Sequence, residues 1–168
     1  MEQIIAAVRG FDGALVLVPE PGGDFPELAW GDAFFYYAPD GRLPENTQPY
    51  GTIVTKDYPD DTASDLDPPG RWRVNIHVDR ATFQELTGEE PRTLGRPRDH
   101  AAADSVMPHP LYGALGWISV VNPAERTTDT VVRLLRGAHD AARARFARRQ
   151  EPGQPLESPR AGRGEVSG

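Results

Sequence analysis

The chain has 168 residues, enough for one domain and short for two, and its lack of cysteine excludes disulfides, thiolate nucleophiles and zinc–thiolate sites. The formal net charge of −7 is uneven: residues 1–128 carry 20 acids against 10 bases, while residues 129–149 carry six arginines against Asp129 and Asp140. So acidic a body repels a polyanion, which disfavours nucleic acid as a partner, and no apolar run approaches the length of a membrane span.

In chain order, Glu2–Arg9 reads as a short helix ended by Gly10. Its start is too short and polar for a signal peptide, and with the missing cysteines this suits a reducing cytoplasm. Residues 14–18 form a strand stopped by Pro19, and residues 34–37 (Phe-Phe-Tyr-Tyr) form a second. Pro39-Asp40-Gly41 is turn chemistry, because Pro presets φ and Gly tolerates positive φ. Residues 52–56 are the next strand, ending on Lys56, the one lysine beside 17 arginines. The segment 57–70, with Asp57, Asp60, Asp61, Asp65 and Asp67, reads as a solvated acidic loop.

Residues 71–78 alternate with period two: Trp72, Val74, Ile76 and Val78 on one face, Arg73, Asn75 and His77 on the other. That pattern suits an antiparallel sheet with one buried and one wet face. Residues 80–86 form a helix with Asp79 as N-cap and Gly88 as stop. A short helix over 99–106, capped by Asp99, precedes a strand at 116–121. The last element is a long helix over 128–149, with Val131, Leu134, Leu135, Ala138, Ala142 and Phe146 on one stripe. Residues 150–168 are rich in Pro, Gly and Arg and too poor in apolar residues to offset their ordering entropy, which predicts a disordered tail after a single domain at 1–149. The order of elements predicts an α+β fold: an antiparallel sheet with helices packed mainly on one face and a long C-terminal helix. Trp30, Trp72 and Trp117 are expected in its core.

The stretch from Thr52-Ile53-Val54-Thr55-Lys56-Asp57-Tyr58-Pro59 to Arg73-Val74-Asn75-Ile76 is followed by Met107-Pro108-His109-Pro110-Leu111-Tyr112 and by Gly116-Trp117-Ile118-Ser119-Val120-Val121-Asn122-Pro123. Together these resemble an uncharacterised bacterial family, domain of unknown function 6194, over nearly the whole folded part. More distantly, the order of elements is similar to the MmcQ/YjbR-like fold, in which a tryptophan-bearing strand follows a short helix and precedes a C-terminal helix. That likeness implies a small α+β domain and raises DNA binding, which the acidic body opposes.

Lysine is the one cation here able to lose its proton and attack as an amine, so Lys56 is a candidate for chemistry or for holding an anion. Its neighbour Asp57 favours the protonated form. His109 stands between Pro108 and Pro110, which fix the backbone and hence the direction of its imidazole, a useful property in a general base. Arg73 and Asn75 head the polar row of their strand, and tyrosines from the second strand could border it. The ligand-binding set expected is Lys56, Asp57, Arg73, Asn75, His109 and Tyr37, forming a cleft for a small polar or anionic molecule on the open sheet face. The alternatives are a small enzyme with His109 as base and Lys56 as electrostatic stabiliser, and a module binding DNA or protein through the basic helix or the sheet. His100, Asp104 and His109 make only a loose set without H-E-x-x-H spacing, so neither a metal nor a cofactor is expected, and a homodimer through the sheet stays open.

Overall fold

The computed structural model describes residues 1–150 and shows an α+β arrangement built on one antiparallel sheet. The strands are β1 (Ala14–Leu17), β2 (Ala33–Tyr37), β3 (Gly51–Val54), β4 (Arg73–His77), β5 (Met107–Pro108) and β6 (Trp117–Val121). They lie in the order β1-β2-β3-β4-β6-β5. The helices are α1 (Glu2–Arg9), α2 (Arg80–Thr87) and α3 (Thr128–Gln150). Of the tail predicted for 150–168, Gln150 closes α3 and the rest lies outside the described residues.

Alternation decides the two faces. Ala33 and Phe35 of β2, Ile53 of β3, Val74 and Ile76 of β4, and Ile118 and Val120 of β6 all point to one side and are fully buried there. α1 covers that side with Ile4, Ile5 and Val8, and α3 with Val131, Leu134, Leu135 and Ala138. Each helix presents its apolar residues at one-turn spacing, so burial of that stripe, rather than propensity, holds it in place. Gly51 allows the close approach of α3: a Cβ there would lie 2.9 Å from Leu135 Cδ2 and 3.1 Å from Phe35 Cδ2. α2 begins on the expected cap, with Thr82 N–H donating to Asp79 Oδ1 at 2.8 Å, and ends on Gly88 at φ 74°. Its Phe83 enters the same core.

Two expectations are corrected. Residues 99–106 form no helix. Ala101 N–H donates to Asp99 Oδ1 in a local turn, and Asp104 adopts a left-handed φ of 55°, which interrupts any helical path. The carboxylate of Asp104 accepts from Ala124 N–H, Arg126 N–H and the Thr127 hydroxyl, so it organises the approach to α3. The tryptophans also divide. Trp72 packs on the core, Trp30 donates its indole N–H to Phe25 O within a loop, and Trp117 points to the opposite side of the sheet.

Candidate functional site

The second sheet face carries Phe34 of β2, Thr52 and Val54 of β3, Arg73 and Asn75 of β4, and Trp117 and Ser119 of β6. The alternation predicted a wet face. Instead Arg73 is 1% exposed and Asn75 and Ser119 are also buried, because two loops fold back over the row. One follows β3 and contains Tyr58, Asp61 and Ser64; the other, after α2, carries His109. The acidic loop is therefore not simply solvated. Leu66 N–H donates to Asp57 Oδ1 and Asp57 N–H donates to Asp67 Oδ1, both at 2.9 Å, and Leu66 is buried beneath.

Arg73 is the centre of this arrangement. Its Nε donates to Asn75 Oδ1 at 2.7 Å. Nη1 donates to Asp61 Oδ1 at 3.1 Å and to Ser64 Oγ at 2.9 Å, and Nη2 donates to Asp61 Oδ2 at 2.6 Å. Four of the five guanidinium N–H groups thus have oxygen acceptors, in the planar fork that a carboxylate matches. The fifth faces His109 Nε2, 3.1 Å from Nη2. Asn75 in turn donates from Nδ2 to Thr52 Oγ1 at 3.0 Å, tying β4 to β3.

His109 is oriented from both sides. Its ring lies near that of Tyr112, and the backbone N–H groups of Leu111 and Tyr112 both donate to Nδ1 at 3.1 Å. Burial pushes its pKa down to about 3, assisted by the charge of Arg73 and opposed by Asp61, so the imidazole is neutral at ordinary pH. The Asp61 carboxyl is held below its usual range by its hydrogen bonds to Arg73 and by the charge of Arg73, against the opposing effect of burial. Burial also lowers the pKa of His100, whose Nδ1 is a buried nitrogen without a partner.

Above this floor lies a cavity of about 400 Å³. Thr52, Arg73, Asn75, Asp61 and His109 line its polar base. Its walls are apolar and largely aromatic: Phe34, Val54, Tyr58 and Trp117. Leu111, Tyr112 and Leu115 stand at the mouth, and Leu115 is 68% exposed. A polar base under an apolar, partly exposed rim is the usual composition of a small-molecule site.

Lys56 sits elsewhere. Asp32 is 0% exposed, and its Oδ1 accepts from Lys56 Nζ at 3.0 Å, from Thr55 N–H at 2.8 Å and from Thr55 Oγ1 at 2.7 Å. Lys56 Nζ also donates to Trp30 O at 2.9 Å. The Tyr58 hydroxyl donates to Asp32 Oδ2, and burial together with this bond raises the Tyr58 pKa. Lys56 is thus the counter-charge of a buried carboxylate, connected to the cavity only through the Tyr58 wall. Asp57 is a loop-organising residue, as described. Tyr37 lies on the helix-covered face, edge-on to His139 and Phe146. Of the six residues predicted for the cleft, Arg73, Asn75 and His109 come together and Lys56, Asp57 and Tyr37 do not. Asp61, Tyr58, Phe34, Trp117 and Tyr112 also line the cavity, which the strand pattern alone does not show.

The arginines of α3 do not form a free stripe. Arg136 stacks over the Phe11 ring at 4.9 Å, and Arg149 donates to Thr47 Oγ1. Arg133 and Arg145 border a second cavity, of about 390 Å³ between α2 and α3, where Asp79 and Glu85 stand with them. Such interspersed charge is a weak platform for phosphates.

Residues 1–151 match the model of a family described as a family of unknown function, DUF6194. No curated protein and no solved structure matches the chain, so the MmcQ/YjbR-like likeness rests on the order of elements alone.

Proposed function

The chain belongs to DUF6194, a family of unknown function that lends it no activity, and we propose that it binds a small molecule in the cavity above Arg73. The observation that carries this reading is the contrast between base and rim. A guanidinium at 1% exposure, hydrogen-bonded to Asn75, Asp61 and Ser64, underlies about 400 Å³ of space walled by Phe34, Tyr58 and Trp117. A large apolar area with a few fixed polar groups gives affinity from the walls and orientation from the base.

The charge of the cavity narrows the ligand. Asp60 and Asp61 line it with Arg73 as the single cation, and Arg73 is already held by Asp61. An anionic ligand would have to displace that carboxylate. A neutral polar molecule with a flat apolar body therefore fits better than an anion. Catalysis by His109 with Lys56 gains no support from the geometry. Lys56 does not line the cavity, and both ring nitrogens of His109 face protein groups. No helix among the described residues is long and apolar enough to cross a membrane, which is compatible with the cytoplasmic setting that we include in the proposal.

The test is a fragment screen by thermal shift, run on the wild-type chain and on Val54→Trp. Val54 is a partly exposed wall residue, so an indole there occupies the space at little cost to the core. Fragments that stabilise the wild type and not the variant support the reading. Fragments that stabilise both equally place the site elsewhere.

A further inference from the structure

The strand register gives the cavity over Arg73 a length and a direction. Phe34 of β2 stands opposite Thr52 of β3, Thr52 opposite Asn75 of β4, and Asn75 opposite Ser119 of β6. These four residues form one row across four strands, on the face away from the helices. Trp117 shares that face, two residues along β6 from Ser119 and opposite His77. Neighbouring strands lie about 4.8 Å apart and residues i and i+2 of one strand about 6.8 Å apart, which puts the Phe34 and Trp117 backbones on the order of 15 Å from each other. Both side chains nevertheless line one cavity. The space is therefore a slot laid across the strands, not a round pit.

The slot is apolar at its two ends and polar in its middle. At one end Phe34 is joined by Tyr58, whose hydroxyl donates to Asp32, two residues before Phe34. At the other end Trp117 N–H donates to Tyr112 O at 3.2 Å, and Trp117 stands with Tyr112 and Leu115, both exposed. Between the ends the floor is Thr52 and Asn75. Asn75 Oδ1 accepts from Arg73 Nε, which can only donate, so the amide is oriented with Nδ2 toward Thr52 and donates to Thr52 Oγ1 at 3.0 Å. A hydroxyl that accepts a hydrogen bond still has its own proton to give. Thr52 is partly exposed and lines the slot, so that proton can meet a group lying in it.

The geometry points to a two-ended ligand: an uncharged, elongated molecule with a flat apolar group at each end, one against Phe34 and Tyr58 and the other against Trp117 and Tyr112, joined through a hydrogen-bond acceptor that takes the Thr52 hydroxyl proton. This ligand class deepens the reading of the cavity as a binding site and rests on it. A compact ligand covers the aromatic side chains of one end and leaves those of the other wet. A two-ended ligand removes both from water, and each end adds apolar area. The absence of charge follows from Asp60 and Asp61 at the slot and from Arg73, which Asp61 already holds.

Three amides separate the outcomes when titrated into the ¹⁵N-labelled chain: benzamide with one ring, 2-naphthamide with two fused rings, and N-benzylbenzamide with a ring on each side of the amide. N-benzylbenzamide is expected to bind roughly tenfold or more tighter than benzamide, and tighter than 2-naphthamide, because its second ring buries further aromatic area. It should move the Trp117 indole and the Phe34 amide resonances together, whereas benzamide moves those of one end. Thr52→Val should weaken N-benzylbenzamide by about fivefold, the worth of one hydrogen bond, and Thr52→Ser should restore it. If N-benzylbenzamide binds no tighter than 2-naphthamide, or moves resonances at one end alone, the two-ended ligand is overturned and the cavity remains a binding site. Unchanged affinity in Thr52→Val overturns the central contact. If none of the three amides moves any cavity resonance, the ligand class and the binding site both fall. The wild-type arms decide the two-ended reading even where a Thr52 variant fails to fold.

Discussion

Arg73 on β4 and Asp61 in the loop after β3 share two hydrogen bonds, 3.1 Å to Oδ1 and 2.6 Å to Oδ2, under a roof that leaves the arginine 1% exposed. A strand side chain thus pins a loop over its own sheet. Removing one partner leaves a buried charge without compensation. Asp61→Ala is expected to destabilise the fold by about 3–5 kcal/mol, the usual cost of breaking a buried pair. The double variant Arg73→Met with Asp61→Leu should recover much of that loss, because no unpaired charge is left behind. Urea unfolding midpoints at unchanged slope measure both.

Lys56 and Asp32 make a second such pair, with the lysine side chain 28% exposed and the aspartate fully buried. Lys56→Met should cost about 1–3 kcal/mol, less than a fully buried pair because solvent still screens the lysine. Lys56→Arg should not restore it. The compact ammonium reaches Asp32 Oδ1 and Trp30 O together, at 3.0 and 2.9 Å, which a wider planar guanidinium does not reproduce in the same space. Ligand binding in the cavity should be nearly unchanged in Lys56→Met, and a large loss of affinity would show that Lys56 acts on the ligand directly.

His109 sets a pH dependence. Its pKa falls from the ordinary 6.5 to about 3 in the fold, so between these values the unfolded chain binds the extra proton. Stability should therefore be full above the unfolded value and decline as pH drops below it, with a slope of up to about 1.4 kcal/mol per pH unit for the one proton. The lowered pKa of His100 acts in the same direction, and the lowered pKa of Asp61 adds to the loss at still lower pH. Chemical unfolding in a pH series measures the slope, and His109→Asn should flatten it between pH 6.5 and 4.

Gly51 faces the helices, not the cavity. A Cβ there would press on Leu135 Cδ2 at 2.9 Å and on Asn75 O at 3.3 Å. Leu135 is fully buried and has little room to yield. Gly51→Ala is expected to cost about 1–3 kcal/mol through overpacking, readable as a lowered melting temperature. Ligand affinity should hold.

The sheet was legible because residues 72–78 alternate strictly, and α3 because Val131, Leu134, Leu135 and Ala138 recur at helical spacing. The same alternation placed Arg73 and Asn75 on one face. It could not show that the face is roofed, since that depends on loops whose paths follow from long-range pairs such as Arg73 with Asp61. Lys56 stands out in the sequence by its rarity, but rarity carries no information about a partner 24 residues earlier. The segment 99–106 misled because Asp99 reads as a helix cap and serves as a turn residue, while Asp104 takes a left-handed conformation that composition does not reveal. Tyr37 falls on the helix side and not on the cleft side expected for it, because an adjacent pair of tyrosines gives no phase until Phe35 is seen in the core.

Two cavities of nearly equal volume, about 400 Å³ over Arg73 and about 390 Å³ between α2 and α3, compete as ligand sites. Chemical-shift mapping on the ¹⁵N-labelled chain, with a fragment that stabilises it, distinguishes them directly. The prediction is that perturbations centre on Thr52, Asn75, His109, Leu111 and Tyr112, with the Arg73 Nε resonance among those that move most. Perturbations centred on Thr82, Glu85, Leu134 and Ala141, with the Arg73 and His109 resonances unmoved, would contradict it.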